Sequence, residues 1–158
     1  MTIAPQLRQY LDEANANYDI VEHKPTMSAL ETARSCDIPA QRLAKAVLLD
    51  TQDDDHLLAV LPSDRKVELA ELRSELGSKP RLSEESEVGK LFKDCELGSV
   101  PPVGYGVTTI VDDSLSEQPD VYFEAGDHKS LVHVDRAEFS RLTENARHGQ
   151  FSEPWLAE

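Results

Sequence analysis

Tryptophan occurs once in the 158 residues, aromatic residues make up 6%, and there are two cysteines, Cys36 and Cys95. With no CxxC pair, and with five histidines that show neither HExxH nor Cys/His spacing, the chain lacks the usual zinc frameworks and any disulfide scaffold. Two buried, reduced thiols are expected. Basic residues are also scarce: 16 Lys and Arg stand against 30 Asp and Glu, a formal charge of −14. That excludes a broad basic face for nucleic acid but leaves room for a small local one. No apolar run approaches the roughly 20 residues of a membrane span, and the first residues lack the basic and apolar regions of a signal peptide. A cytoplasmic protein without membrane contact is expected. There is no GxSxG elbow, no GxGxxG or GxxxxGKS phosphate loop and no EF-hand pattern around Asp53 to Asp55, which reads as a solvated hairpin tip. Neither a metal nor a cofactor is called for.

What is present fits one globular domain: 39% hydrophobic and 29% charged residues, spread evenly, with no repeat and no low-complexity tract. Pro5 to Asn15 carries Leu7, Tyr10, Leu11 and Ala14 at helical spacing. "YDIVEH" reads as a strand, and Ser28 with Glu31 forms a capping box for a helix ending near Pro39. Ala44 to Asp50 and His56 to Pro62 read as a hairpin of buried strands. "VELAELRSELG" is a helix with Gly77 at its C-terminal cap, and a second capping box at Ser83, Ser86 and Glu87 opens another. Three strand-like runs follow, "VTTIVD", "DVYFEAG" and "LVHVD", then a helix capped by Asp135 and Glu138. Residues 1–143 make the domain, and 144–158 an irregular tail. The order of elements gives an α+β fold.

Two features stand out from this background. Lys45 heads an apolar strand, between Ala44 and Ala46; it is either a snorkelling edge residue or a cation held at a pocket rim for phosphate or an oxyanion. "GSVPPVG", Gly98 to Gly104, concentrates glycine and proline in a chain with only 7 and 9 of them. It is either a turn or a rigid loop whose backbone groups face a ligand. His128, in the turn "AGDHKS", is a third candidate, because loops on a rigid scaffold hold many sites.

In order along the chain, "EHKPTMSALETARSCDIPAQRLAKAVLLD", "KVELAELRSELGSKPRLSEESEVGKLF", "GSVPPVG" and "VYFEAGDHKSLVHVD" resemble the YbaK/ProX family of aminoacyl-tRNA deacylases, from about His23 to Leu142. Within it, the chain looks closest to free-standing proteins similar to the editing domain of bacterial prolyl-tRNA synthetases. The resemblance implies a single domain with a mixed, barrel-like sheet flanked by helices. It also implies trans-editing: hydrolysis of the ester on a mischarged tRNA, with a small amino acid and a proline-type tRNA. The partner is an aminoacyl-tRNA 3′ end, with an aminoacyl-tRNA synthetase as a further candidate. Lys45 matches the family's essential lysine, Gly98 and Pro102 the ends of its GxxxP loop, and Gly104 the glycine after it. Ser99, Val100 and Pro101 fall inside the loop, and Gly126 and His128 fall where alanine-clearing members have a glycine turn and a histidine near the substrate amino group. Two positions depart: those members have asparagine and phenylalanine where Ala46 and Val103 stand. Backbone groups of Gly98 to Pro102 would hold the aminoacyl end, Lys45 would anchor a phosphate or orient the loop, and the ribose 2′-hydroxyl would assist water. A basic rim of Arg34, Arg42, Lys45, Lys79, Arg81 and Lys129 would meet the RNA. The alternative is a non-catalytic paralogue whose pocket binds a small ligand or a protein partner.

Overall fold

The computed structural model describes residues 3–26, 28–52 and 55–155. Asp53 and Asp54 of the expected hairpin tip, and the last three residues of the tail, lie outside them.

The elements form where local chemistry favours them. Helix α1 (Pro5–Glu13) starts on proline and buries Leu7 and Leu11 completely. After strand β1 (Asp19–Glu22), Ser28 Oγ accepts the Glu31 N–H at 3.1 Å and starts α2 (Ala29–Ser35). A 3₁₀ turn (Ala40–Arg42) leads into the hairpin of β2 (Leu43–Asp50) and β3 (His56–Pro62). Short β4 (Arg65–Val67) precedes α3 (Leu69–Leu76), which stops at Gly77 with φ +82°, a left-handed cap suited to glycine. Strand β5 (Arg81–Leu82) and α4 (Glu85–Leu91) come next. Then follow β6 (Thr109–Asp112), α5 (Asp113–Ser116), β7 (Asp120–Glu124), β8 (Ser130–Asp135) and α6 (Arg136–Leu142). Asp135 caps α6 through the Glu138 N–H at 2.8 Å, as its sequence predicts.

The strands form a mixed eight-stranded sheet in the order β1-β8-β7-β2-β3-β6-β9, with β5 added to β2; β9 is Arg147–Gly149. One face carries the main core, with Leu7 and Leu11 of α1 and Phe139 and Leu142 of α6 against Val60, Val111, Phe123 and Val132. The other face carries two smaller clusters. Leu43, Leu131, Ala33 and Ile38 gather under α2, and Leu49, Leu57, Leu61, Leu72 and Phe151 gather under α3. Strand β3 is therefore apolar along nearly its whole length, because both of its faces are covered.

Three expectations need correction. The capping box at Ser83 does not form: its hydroxyl donates to Asp50 Oδ1 at 2.6 Å, and Glu84 precedes α4 without a side-chain cap bond. The tail is not irregular. It supplies β9 and then β10 (Ser152–Pro154), which pairs antiparallel with β4, and Phe151 between them is fully buried. Cys36 and Cys95 are free thiols, as expected, but half-buried rather than enclosed. Burial pushes the Cys95 thiol up to about 11, so it is unreactive near neutral pH.

Candidate active site

Strand β2 explains why Lys45 looked anomalous. Its even residues, Ala44, Ala46 and Leu48, join the main core, while Leu43 belongs to the α2 cluster and Val47 and Leu49 to the α3 cluster. Lys45 falls between those two clusters on the second face, where alternation gives it apolar neighbours. The parallel pairing of β2 with β7 ends at Leu43↔Tyr122 and Ala44↔Phe123, and the next residues along the two strands are Lys45 and Glu124. Withdrawal from water lowers the lysine to about 8, against the opposing pull of Asp64. The Trp155 ring centroid lies 4.8 Å from Nζ, a cation–π contact. Among the described residues Lys45 has no hydrogen bond or ion pair, so this cation is available to an anion.

Glu124 was not anticipated. It continues the face of Tyr122, pairs with Leu131, is buried, and has Oε1 without a hydrogen-bond partner among the described residues. Burial, aided by Asp127, raises its carboxyl to about 7. His23 Nε2 is likewise buried and unpartnered among the described residues. A strand-ending glutamate looks like ordinary solvent-facing polarity in sequence, and only the register reveals its burial. Because the folded carboxyl is raised above its unfolded value, its charge costs nothing below about pH 4.5 and costs fully above about pH 7. Glu124→Gln is therefore expected to stabilise the fold at pH 8 by on the order of 2–3 kcal/mol and to leave it unchanged at pH 4. Thermal melts at the two pH values check this.

The "GSVPPVG" loop is anchored at both ends. At the first, Gly98 has φ +85°, and a Cβ there would come within 3.2 Å of His128 Cε1. His128, itself at φ +60°, places Nε2 against the Leu97 carbonyl, so Nε2 carries the proton. The Glu96 N–H donates to the Gly126 carbonyl at 2.8 Å. Gly126 has φ +103°, and a Cβ would meet Ala4 Cβ at 2.8 Å, so no other residue fits this turn. At the second end, Gly104 lies against Tyr10 and accepts from Gln6 Nε2 at 3.1 Å. Tyr105 donates to Asp94 Oδ1 at 2.6 Å, and Asp94 Oδ2 accepts the Gln6 N–H of α1. Ser99 is fully buried with its hydroxyl donating to the Glu96 carbonyl at 2.8 Å, which removes it as a nucleophile.

Gly98, Gly126 and His128 thus meet in one junction, two residues beyond Glu124. Val100 is buried in the main core, with Ala46 and Val103 packed against it. Pro101, Pro102, Val103 and Gly104 line a cleft of about 360 Å³ shared with Tyr10 and Leu142, and Lys45 is not among its walls. The expected basic rim is only partly available. Arg42 pairs with Asp120 at 3.3 Å, and Arg81 pairs with Asp50 at 3.5 Å, at the far end of β2 from Lys45. Among the described residues no group of three or more His, Cys, Asp or Glu side chains could hold a metal ion.

The fold is a single α+β domain with a mixed sheet, and its candidate site combines a lysine cation at a strand divergence with a Gly/Pro loop fixed to a Gly/His turn. The chain belongs to the aminoacyl-tRNA editing domain family, whose model matches residues 23–142. It is 24% identical over 153 residues to the uncharacterized protein YwhH of Bacillus subtilis (strain 168), covering 95% of this chain and 92% of that one. A solved structure described as a "putative trans-editing enzyme for prolyl tRNA synthetase" superposes with a TM-score of 0.81 at 21% identity, over 96% of this chain and 99% of that one. The hypothetical protein APE2540 superposes with a TM-score of 0.84 at 21% identity, over 94% and 99%. These two likenesses establish the shared fold.

Proposed function

We propose that this protein is a trans-acting deacylase that hydrolyses the ester of a mischarged tRNA, with a small amino acid on a proline-type tRNA as substrate. The observation that carries the reading is Lys45, an unpaired and partly desolvated cation where β2 leaves β7, in the strand next to the one that leads to the Gly126–His128–Gly98 junction. An aminoacyl ester is already activated, so positioning water and stabilising the tetrahedral oxyanion supply much of the rate without a covalent nucleophile.

The loop's own chemistry narrows the donors. Pro101 and Pro102 have no N–H, and the Ser99 N–H is held by the Glu96 carbonyl, so within Gly98 to Pro102 the amides without a hydrogen-bond partner among the described residues are those of Gly98 and Val100. One of these faces the oxyanion. Lys45 binds the phosphate of the terminal nucleotide, and the ionised Glu124 supplies a counter-charge for the substrate α-ammonium. Water, assisted by the ribose 2′-hydroxyl, forms the new C–O bond; the bond to the 3′ oxygen breaks, and that oxygen leaves with the proton. Ala46 and Val103, which pack against the main core beside the loop, set the space for the amino-acid side chain. Pocket shape at that level discriminates by about 1–3 kcal/mol per methylene.

The test compares a mischarged tRNA with an alkyl ester of the same amino acid. Hydrolysis of the tRNA ester alone is expected. Equal turnover of both would remove the 2′-hydroxyl from the mechanism, and tight binding without turnover would identify a non-catalytic paralogue.

A further inference from the structure

We infer that Trp155 is a stacking platform for the unpaired terminal adenine of the tRNA 3′ end, working beside Lys45. The inference rests on the reading above that this end is the substrate.

Trp155 is held in place by backbone geometry. Pairing of β10 with β4 sets Ser152 opposite Val67, Glu153 opposite Lys66 and Pro154 opposite Arg65. The Arg65 guanidinium donates to Ser152 Oγ at 2.7 Å and to the Ser152 carbonyl at 2.8 Å, and the Trp155 N–H donates to the Asp64 carbonyl at 3.2 Å. The indole so presented is 51% exposed, and it is the one large aromatic side chain left in solvent among the described residues. Lys45 Nζ lies 4.8 Å and Lys66 Nζ 5.9 Å from its ring centroid.

Sites for single-stranded nucleic acid pair a cation that tracks the phosphate with an aromatic face on which a base stacks. Here both parts sit together on a chain of charge −14, so recognition does not require a basic surface elsewhere. The ammonium groups of Lys45 and Lys66 lie over the ring, and half of the residue's surface remains in water, where a base can reach it. A terminal nucleotide gripped through both base and phosphate is oriented as well as bound, which places its ester against a loop fixed in advance.

Because Trp155 is the sole tryptophan, its emission reports this site alone. Titration with an uncharged RNA minihelix ending in CCA is expected to quench it, and binding needs no turnover. The decisive comparison uses labelled minihelices that end in adenine or in an abasic ribose, read by anisotropy. Wild type is expected to prefer adenine by roughly 5- to 150-fold, the range for loss of one base–aromatic stack. Trp155→Phe should keep most of that preference and Trp155→Ala should reduce it to near unity, both with unchanged melting behaviour. An adenine preference that survives in Trp155→Ala, or its absence in wild type, overturns the inference while leaving deacylation to be judged by its own assay. An intact preference in a protein that deacylates nothing sustains the stacking role and defeats the proposed reaction.

Discussion

Replacing Phe151 by alanine is expected to destabilise the protein by about 3–5 kcal/mol, the range for removing a buried phenylalanine, and to lower its melting temperature by roughly 6–20 °C. The ring is fully buried among Leu72, Leu61, Ile110 and Leu49, under α3. Its backbone is held as firmly: the Phe151 N–H donates to Asp112 Oδ2 at 3.2 Å, and its carbonyl accepts the Glu68 N–H at 2.7 Å. Burial alone would raise the Asp112 carboxyl, but donors from Ser114, Ser152 and Phe151 hold it below the usual range. A cavity at 151 therefore loosens an entire junction, including β10 and the Trp155 it carries. Thermal and urea denaturation measure the cost, and a loss under about 1 kcal/mol would show that the C-terminal strands are an appendage.

The second large effect concerns Lys45. Removing a charge-assisted contact to a substrate phosphate costs about 1.5–3 kcal/mol, and Lys45→Ala is expected to lower kcat/KM by roughly 10- to 150-fold. With the lysine lowered to about 8, the fraction of cation falls as pH rises through that value. After correction for spontaneous ester hydrolysis, kcat/KM should climb by about threefold from pH 6.5 to 7.5 as Glu124, raised to about 7, ionises, and fall towards tenfold per unit above 8. In Lys45→Arg the charge persists at all these pH values, so whatever activity remains should lose that limb. A profile that keeps the limb in Lys45→Arg would assign it to another group.

Much of this was legible because it is local. The N-caps at Ser28 and Asp135 need only neighbouring backbone, and both form, although the Glu138 carboxylate accepts from Arg141 and the Asn17 N–H instead of closing a box. The box at Ser83 fails because a carboxylate distant in sequence, Asp50, takes the hydroxyl. Lys45 was visible as an interruption of an apolar strand, although its setting between two clusters depends on what α2 and α3 cover. Strands β9 and β10 are three residues long and show no clear alternation; their positions are fixed by Asp112, Glu68 and Arg65, far away along the chain. For the same reason Trp155 read as part of a loose end, and Glu124 as surface polarity. The Gly98–Gly126–His128 junction lay in between: its residue types were visible, but their contact was implied only by the family resemblance.

Whether Lys45 serves ester hydrolysis is decided by single-turnover hydrolysis of alanine-, serine-, cysteine- and threonine-charged tRNA with wild-type and Lys45→Ala protein at pH 7.5. Wild type is expected to clear at least one of these esters, and the variant to clear it roughly 10- to 150-fold more slowly at sub-saturating protein. Equal rates for the two proteins, or no hydrolysis of any of the four by wild type, would contradict that role for Lys45.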